Sequence, residues 1–155
     1  MGIISDEVKK IINNPLTLKS VATVSREGLP HVAYKGSLHI EDETIVFYDF
    51  IQSSQINKNL VNAIWFNGKA AINIYYDDGK EKKNFLIIGK PVKCVTAGRK
   101  FEDIYISLQD KYGKDMDLSA IWYIEPESIR DESFLSRKKE EEIKYPYIMH
   151  IDRLL

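Results

Sequence analysis

A predicted β-hairpin within residues 20–40 constrains the fold of this chain more than any other segment. Its two arms, SVATV and HVAYKGSLHI, are rich in β-branched and aromatic residues, which fit a pleated, half-buried surface. Between the arms, Gly28 can adopt the positive φ of a tight reversal, and Pro30 delays the start of strand pairing. The second arm runs through YKGS, which places a cation, a bare backbone position and a hydroxyl side by side. This combination is compatible with an anionic ligand.

Composition predicts one domain with a substantial core and excludes several classes of function. The chain has 155 residues, of which 44% are hydrophobic, and its net charge is −1. A protein that binds nucleic acid or a membrane surface in general needs a basic excess, so neither partner is expected. Because Cys94 is the single cysteine and the first residues contain no apolar signal segment, we expect a cytoplasmic protein.

The periodicity of the remaining chain predicts helices at its start, middle and late part, separated by strands and short turns. Ser5 is expected to cap the first helix, and Gly113 to end the last and strongest one. Helices are predicted near residues 6–12, 55–61 and 100–112, and strands near 20–24, 31–40, 44–48, 69–76, 81–95 and 118–124. Residues 125–127 are expected to close the final strand. About six strands joined by short turns favour a closed or nearly closed antiparallel barrel.

The C-terminal part differs from the barrel in composition. Residues 137–142 form a charge run, which is typical of a solvated helix turn or a mobile segment. The segment YPYIM at residues 145–149 is apolar again, so we expect the last ten residues to pack against another part of the protein.

No catalytic or metal-binding motif is apparent. The histidines, His31, His39 and His150, lack the spacing of metal ligands, and they are interpreted as surface or strand residues. Cys94 lies in a strand-like stretch and is interpreted as a small hydrophobic residue rather than a reactive thiol. The paired acids Asp77 and Asp78 lie in a turn, where they are expected to be solvated.

Two polar clusters remain as candidate binding residues. One is the YKGS segment, residues 34–37, and the other is QSSQ, residues 52–55, with Asn57, Lys58 and Asn59. The second cluster lies where a strand ends and a helix begins, and exposed N–H groups at such a position attract phosphate. The alternative interpretation is structural, with Ser53 or Ser54 capping the helix and Lys35 lying along a sheet edge.

The order of these motifs resembles the FMN-binding split-barrel superfamily, the pyridoxamine 5′-phosphate oxidase-like proteins. The resemblance covers residues 3–130 and rests on VATVSREGLPHVAYKGSLHI, DETIVFYD, SSQINKNLVNA and NFLIIGKPV. It implies a mainly β domain over residues 1–130, a six-stranded antiparallel split barrel of Greek-key type with flanking helices. Residues 131–155 would then form an extension that packs on the barrel or on a partner subunit. The resemblance further implies a homodimer that binds FMN at the subunit interface and exchanges electrons with a small molecule.

Carried over position by position, the resemblance implies a flavin site. Its residues would be Tyr34, Lys35, Gly36, Ser37, Asp49, Phe50, Ile51, Ser53, Ser54, Gln55 and Asn59. Ala33, Ser54 and Gln55 stand where true pyridoxamine phosphate oxidases carry basic residues, so that specific activity is not expected. Lys35 would be the main positive charge at the phosphate.

We therefore predict an FMN-dependent oxidoreductase of unknown substrate. The alternative is a non-catalytic binding module in which flavin binding is weakened or lost. A third possibility is that haem or a deazaflavin occupies the same groove.

Overall fold

The computed structural model describes residues 2–147 and 149–154, in which one antiparallel sheet of seven strands carries four α-helices. The strands are β1 (Leu18–Val24), β2 (Pro30–Tyr34), β3 (His39–Glu41), β4 (Thr44–Asp49), β5 (Ala70–Asp77), β6 (Lys82–Val95) and β7 (Ala120–Asp131). The α-helices are α1 (Asp6–Ile12), α2 (Gln55–Trp65), α3 (Arg99–Tyr112) and α4 (Phe134–Lys144), and a short 3₁₀ turn spans Ile151–Arg153.

The predicted second arm of the hairpin is divided into two strands, so the expected count of six is wrong by one. β1 pairs with β2 through a five-residue loop in which Gly28 has a φ of 85°, as the sequence predicted. The chain then leaves the ladder at residues 35–38, where Leu38 N–H donates to the Lys35 carbonyl at 3.1 Å. β3 starts after this turn and pairs with β4, not with β1. We call residues 35–38 the linker.

The sheet order is β2-β1-β5-β6-β7-β4-β3, so the linker joins strands that lie at opposite edges. A sheet whose two edges are connected by a few residues must curl towards a barrel, and the barrel is split between β2 and β3. Lys19 on β1 supports the linker, since its ammonium donates to the Leu38 carbonyl at 2.9 Å. Burial lowers the pKa of this ammonium group.

Two apolar clusters hold the sheet together. The larger one fills the barrel and includes Phe47, Ile72, Ile87 and Trp122, each of which is fully buried. The smaller one lies on the outer face, where Leu108 of α3 packs with Val46 of β4, Ile121 of β7 and Leu118, which precedes β7. The second cluster fixes the position of α3 beside the linker.

The expected end of the last strand at residues 125–127 is wrong, because β7 continues to Asp131. The paired strand β6 runs unbroken to Val95, with register shifts after Ile88 and between Pro91 and Lys93. Pro126 lies opposite Gly89 at the first shift, and a bulge is one of the positions at which a strand accommodates proline. A proline thus marks an irregularity within the strand instead of its end.

The predicted helix signals are confirmed at three positions. Val8 N–H donates to the Ser5 hydroxyl, Asn57 N–H donates to the Ser54 hydroxyl, and Gly113 follows the last residue of α3. α2 extends to Trp65, beyond the expected residue 61, because no helix breaker occurs before Asn67-Gly68. Among the described residues, none of the helices combines the length and apolar character that a membrane crossing requires.

The C-terminal charge run lies within α4, which has no buried residue. The apolar side chains that follow, including Tyr147, Met149 and Ile151, are exposed on this chain. Ile148 of the YPYIM segment lies outside the described residues. Packing of residues 131–155 on the barrel or on a partner subunit stays a prediction.

Substitution of Gly89 by alanine tests the bulge between β6 and β7. A Cβ atom built on Gly89 lies 2.6 Å from Ile124 Cγ2 and 2.8 Å from the Glu125 carbonyl oxygen, and the backbone oxygen cannot rotate away. We expect Gly89→Ala to lower the free energy of unfolding by about 1–3 kcal/mol in urea titrations. Ser128→Ala, on the exposed face opposite Ile88, is the control and should change it by less than about 0.5 kcal/mol. Equal stability of the two variants would contradict the packing described.

Candidate functional site

A cleft of about 590 Å³ opens where the linker meets α3. One wall is formed by residues 34–37 together with Tyr48 and Phe50 at the end of β4. The opposite wall is formed by the C-terminal half of α3 and the turn after it. It consists of Ser107, Leu108, Lys111, Tyr112 and Met116. The volume lies within the range of small-molecule and cofactor sites.

The linker wall is shaped by Gly36. A Cβ atom on Gly36 would lie 3.2 Å from Cε1 and 3.3 Å from the hydroxyl of Tyr34, so a larger side chain would require the Tyr34 ring to shift. Tyr34 itself is 62% exposed at the mouth of the cleft. The wall therefore combines an exposed aromatic ring with bare backbone.

Behind this wall, the predicted cation is paired with a buried acid. Lys35 Nζ lies 3.5 Å from Asp49 Oδ1, and the two side chains are only 11% and 2% exposed. The ammonium also lies 5.8 Å from the centre of the Phe47 ring, within the range of a cation–π contact. Lys35 is thus an internal ion-pair partner, with little of its charge turned to solvent.

Asp49 is the centre of a larger network at the start of α2. The Ser54 hydroxyl donates to Asp49 Oδ2, and Ile51 N–H donates to Asp49 Oδ1 at 3.3 Å. Ser54 also caps the helix, since its oxygen accepts from Asn57 N–H at 3.1 Å. The Asp49 carbonyl accepts from both the N–H and the hydroxyl of Ser119. Asp49 therefore ties the end of β4 to the linker, α2 and the segment before β7.

Three further polar side chains of α2 are also hydrogen-bonded within the protein. Gln55 donates to Asn59 at 2.8 Å, and the buried Asn59 donates to the Thr23 hydroxyl at 3.0 Å. Asn57 accepts from the indole N–H of Trp122 at 3.1 Å. These hydrogen bonds fix α2 against β1 and the barrel core, and none of these side chains lines the cleft.

A second cluster of charges anchors the far end of the linker. His39 places Nδ1 2.7 Å from the Ser37 carbonyl and Nε2 2.9 Å from Glu41 Oε1, while Lys100 of α3 donates to Glu41. Hydrogen bonds to Glu41 and Tyr123 raise the pKa of Lys100, which stays cationic. Burial, followed by the negative charge of Glu41, raises the pKa of Tyr48, so its phenol stays protonated at neutral pH.

The structure separates the predicted site residues into two groups. Tyr34, Lys35, Gly36, Ser37 and Phe50 line the cleft. The remaining residues lie outside its lining, with Asp49 and Asn59 buried, Ser54 half-buried, and the others exposed. The exposed ones are Ile51, Ser53 and Gln55.

The contribution of α3 to the cleft was missed by the sequence analysis, although the helix itself was predicted. Ser107 and Lys111 are four residues apart and share one face of the helix, next to the apolar stripe that ends at Leu108. This polar pair beside the stripe was the available signal. Within residues 2–147 and 149–154, Lys111 takes part in no ion pair, and its ammonium lies 5.1 Å from the centre of the Tyr112 ring in the same wall.

A double-mutant cycle tests the buried pair. Lys35→Met leaves the Asp49 carboxylate without its cation, and we expect a loss of about 3 kcal/mol in the free energy of unfolding. Adding Asp49→Asn to Lys35→Met removes the uncompensated charge and should recover more than about 1 kcal/mol. Urea denaturation measures all four corners of the cycle. Additive losses would show that the two side chains do not interact.

Several solved structures are similar to this chain. No protein-family model matches the chain, and no curated protein sequence matches it. Among solved structures, the chain is similar to HupZ of Group A Streptococcus, with 26% identity and a TM-score of 0.63 over 84% of this chain and 95% of that one. It is also similar to an FMN-binding protein from Syntrophomonas wolfei, with 18% identity and a TM-score of 0.61 over 81% and 84%.

A third similar structure is HutZ, the heme storage protein of Vibrio cholerae, with 16% identity and a TM-score of 0.55 over 84% and 95%. These TM-scores establish a common fold, while identities this low do not identify the ligand. Further similar structures include pyridoxamine 5′-phosphate oxidase-like proteins and an F420 reductase. The resemblance drawn from the sequence motifs is therefore confirmed, and the chain has the fold of the split-barrel, pyridoxamine 5′-phosphate oxidase-like superfamily.

Proposed function

We propose that this chain binds a flavin ring in the cleft between the linker and α3 and passes electrons between the flavin and a small molecule. The observation that carries the proposal is the lining of the cleft at the barrel split. Aromatic side chains stand on both walls, Tyr34, Tyr48 and Phe50 on one and Tyr112 on the other. The FMN-binding protein of the same fold supports it.

The donors in the cleft fit a ring that carries several hydrogen-bond acceptors. Ser37 accepts from Tyr48 N–H at 2.9 Å, so its own hydroxyl hydrogen is free to donate. Lys111 supplies a cation from the opposite wall. Gly36 lets a flat group approach the backbone of the linker closely. These groups can orient a planar, polar heterocycle whose faces contact aromatic side chains.

When bound, a flavin supplies the redox chemistry itself, and the protein supplies position and environment. Tyr48 and Phe50 would exclude water from one side of the ring, and Lys111 would favour negative charge on it. No side chain that lines the cleft is paired with a second group in a way that would make it a general acid or base. The proposal therefore names no substrate. FMN is the flavin that the resemblance implies.

One specific observation favours the alternative, a binding module with weakened flavin affinity. Lys35, the cation expected at the phosphate, is committed to Asp49 and is largely buried. Near the start of α2 a dianionic phosphate would meet the exposed Lys58 and otherwise neutral donors, which contribute less than charged ones.

A haem ligand has less support from the cleft. HutZ shares the fold and is described as a heme storage protein. His31, His39 and His150, the histidines of the described chain, are all absent from the cleft lining, so a histidine ligand would have to come from elsewhere.

We also propose that a second copy of the chain covers the cleft mouth. Val32 and Tyr34 are largely exposed on β2, which is an edge strand with unpaired backbone groups. Light scattering coupled to size-exclusion chromatography should give the mass of a dimer at micromolar concentration. A monomer at that concentration would contradict the proposal.

Titration of the purified protein with FMN and with riboflavin tests flavin binding. We expect quenching of flavin fluorescence and a shifted visible spectrum with at least one of the two. Tyr34→Leu should weaken the binding about fivefold, because it removes an aromatic contact at the cleft mouth and keeps most of the apolar surface. Phe134→Leu, an exposed aromatic residue on α4, is the matched control and should change nothing. Failure of both flavins to bind would refute the proposal.

A further inference from the structure

We propose that Asp49 determines which ligands the site accepts: its carboxylate fills the protein's own anion position, so that a flavin without phosphate is preferred over FMN. The preference for a flavin rests on the proposed function above. The filling of the anion position rests on the contacts of Asp49 alone.

The groups around Asp49 are those that would otherwise bind an external anion. They are the ammonium of Lys35, the N–H of Ile51 and the hydroxyl of Ser54. The positive end of the α2 dipole lies behind Ser54, and it favours a negative group at the same place. Four sources of positive potential thus converge on one carboxylate.

Because Asp49 is buried, its carboxylate stays in the anion position. Asp49 is 1% exposed and is held at the end of β4, where its carbonyl accepts two hydrogen bonds from Ser119. The side chain itself is enclosed and is held by Lys35, Ile51 and Ser54, so it does not swing aside to admit a ligand. A phosphate brought to this position would meet a negative charge at close range, and the two groups would repel each other.

Removal of the carboxylate should reverse the preference. Asp49→Asn removes the negative charge and keeps the size of the side chain, so the Lys35 ammonium loses its counter-ion. Because Lys35 also lines the cleft, an external phosphate in the cleft can then neutralise it. The site should change from one that repels phosphate to one that needs an anion for full stability.

The flavin arm of the test compares riboflavin with FMN by fluorescence quenching on the intact protein. We expect wild type to bind riboflavin at least as tightly as FMN, and Asp49→Asn to shift the ratio about tenfold towards FMN. Asp103→Asn, an exposed acid on α3 outside the cleft lining, is the control and should keep the wild-type ratio. A wild type that binds FMN about tenfold more tightly than riboflavin would overturn the inference and leave the proposed function standing.

The phosphate arm needs no flavin. Melting temperatures are measured in inorganic phosphate and in chloride at equal ionic strength. Phosphate should stabilise Asp49→Asn more than wild type or Asp103→Asn. If no flavin binds, the proposed function fails, and this difference alone decides whether Asp49 occupies an anion position.

Equal responses of all three proteins to phosphate would overturn the inference. If Asp49→Asn does not fold, Asp49→Ser replaces it in the flavin titrations and in the melting experiments. Asp49→Ser also removes the charge, and it creates space.

Discussion

The short linker between β2 and β3 is the constraint on which the rest of the structure depends. A flat sheet of seven strands would hold its edge strands about 29 Å apart, from six spacings of about 4.8 Å. The chain from Tyr34 to His39 reaches at most about 18 Å when fully extended. Since these residues join the two edges, the sheet has to curl. Barrel closure, the position of the split and the place of the cleft all follow from this one limit on length.

The ion pair between Lys35 and Asp49 fixes the linker once the sheet has curled. Lys35 comes from the linker, and Asp49 is the last residue of β4, which adjoins the opposite edge strand. A buried charge is costly, and the cost is offset here by the ammonium, by a hydroxyl and by a backbone N–H. The same carboxylate organises the first turn of α2 through Ser54. One acid therefore couples the closure of the barrel to the start of a helix, and it leaves less positive charge for a ligand.

The sequence predicted those elements well whose ends are set by interactions between neighbouring residues. Ser5 and Ser54 cap helices, Gly113 ends α3, and Gly28 turns the first hairpin because each acts through its own backbone neighbours. The predictions were wrong where the end of a strand depends on which other strand it pairs with. Pro126 reads as a strand end, yet a bulge opposite Gly89 accommodates it. Residues 31–40 were predicted as one arm, although its end, from His39, belongs to β3, which pairs with β4 at the other edge of the sheet.

The sequence by itself determined the type and order of most elements and the superfamily resemblance, and it singled out residues 34–37, which line the cleft. Periodicity, turn residues and caps depend on residues that are close in the sequence, so their effect does not depend on the tertiary fold. Only the tertiary structure decided that α3 supplies the second wall of the cleft and that Lys35 is paired with Asp49. Both facts depend on contacts between residues far apart in the chain, and the closure of the sheet is what brings those residues together.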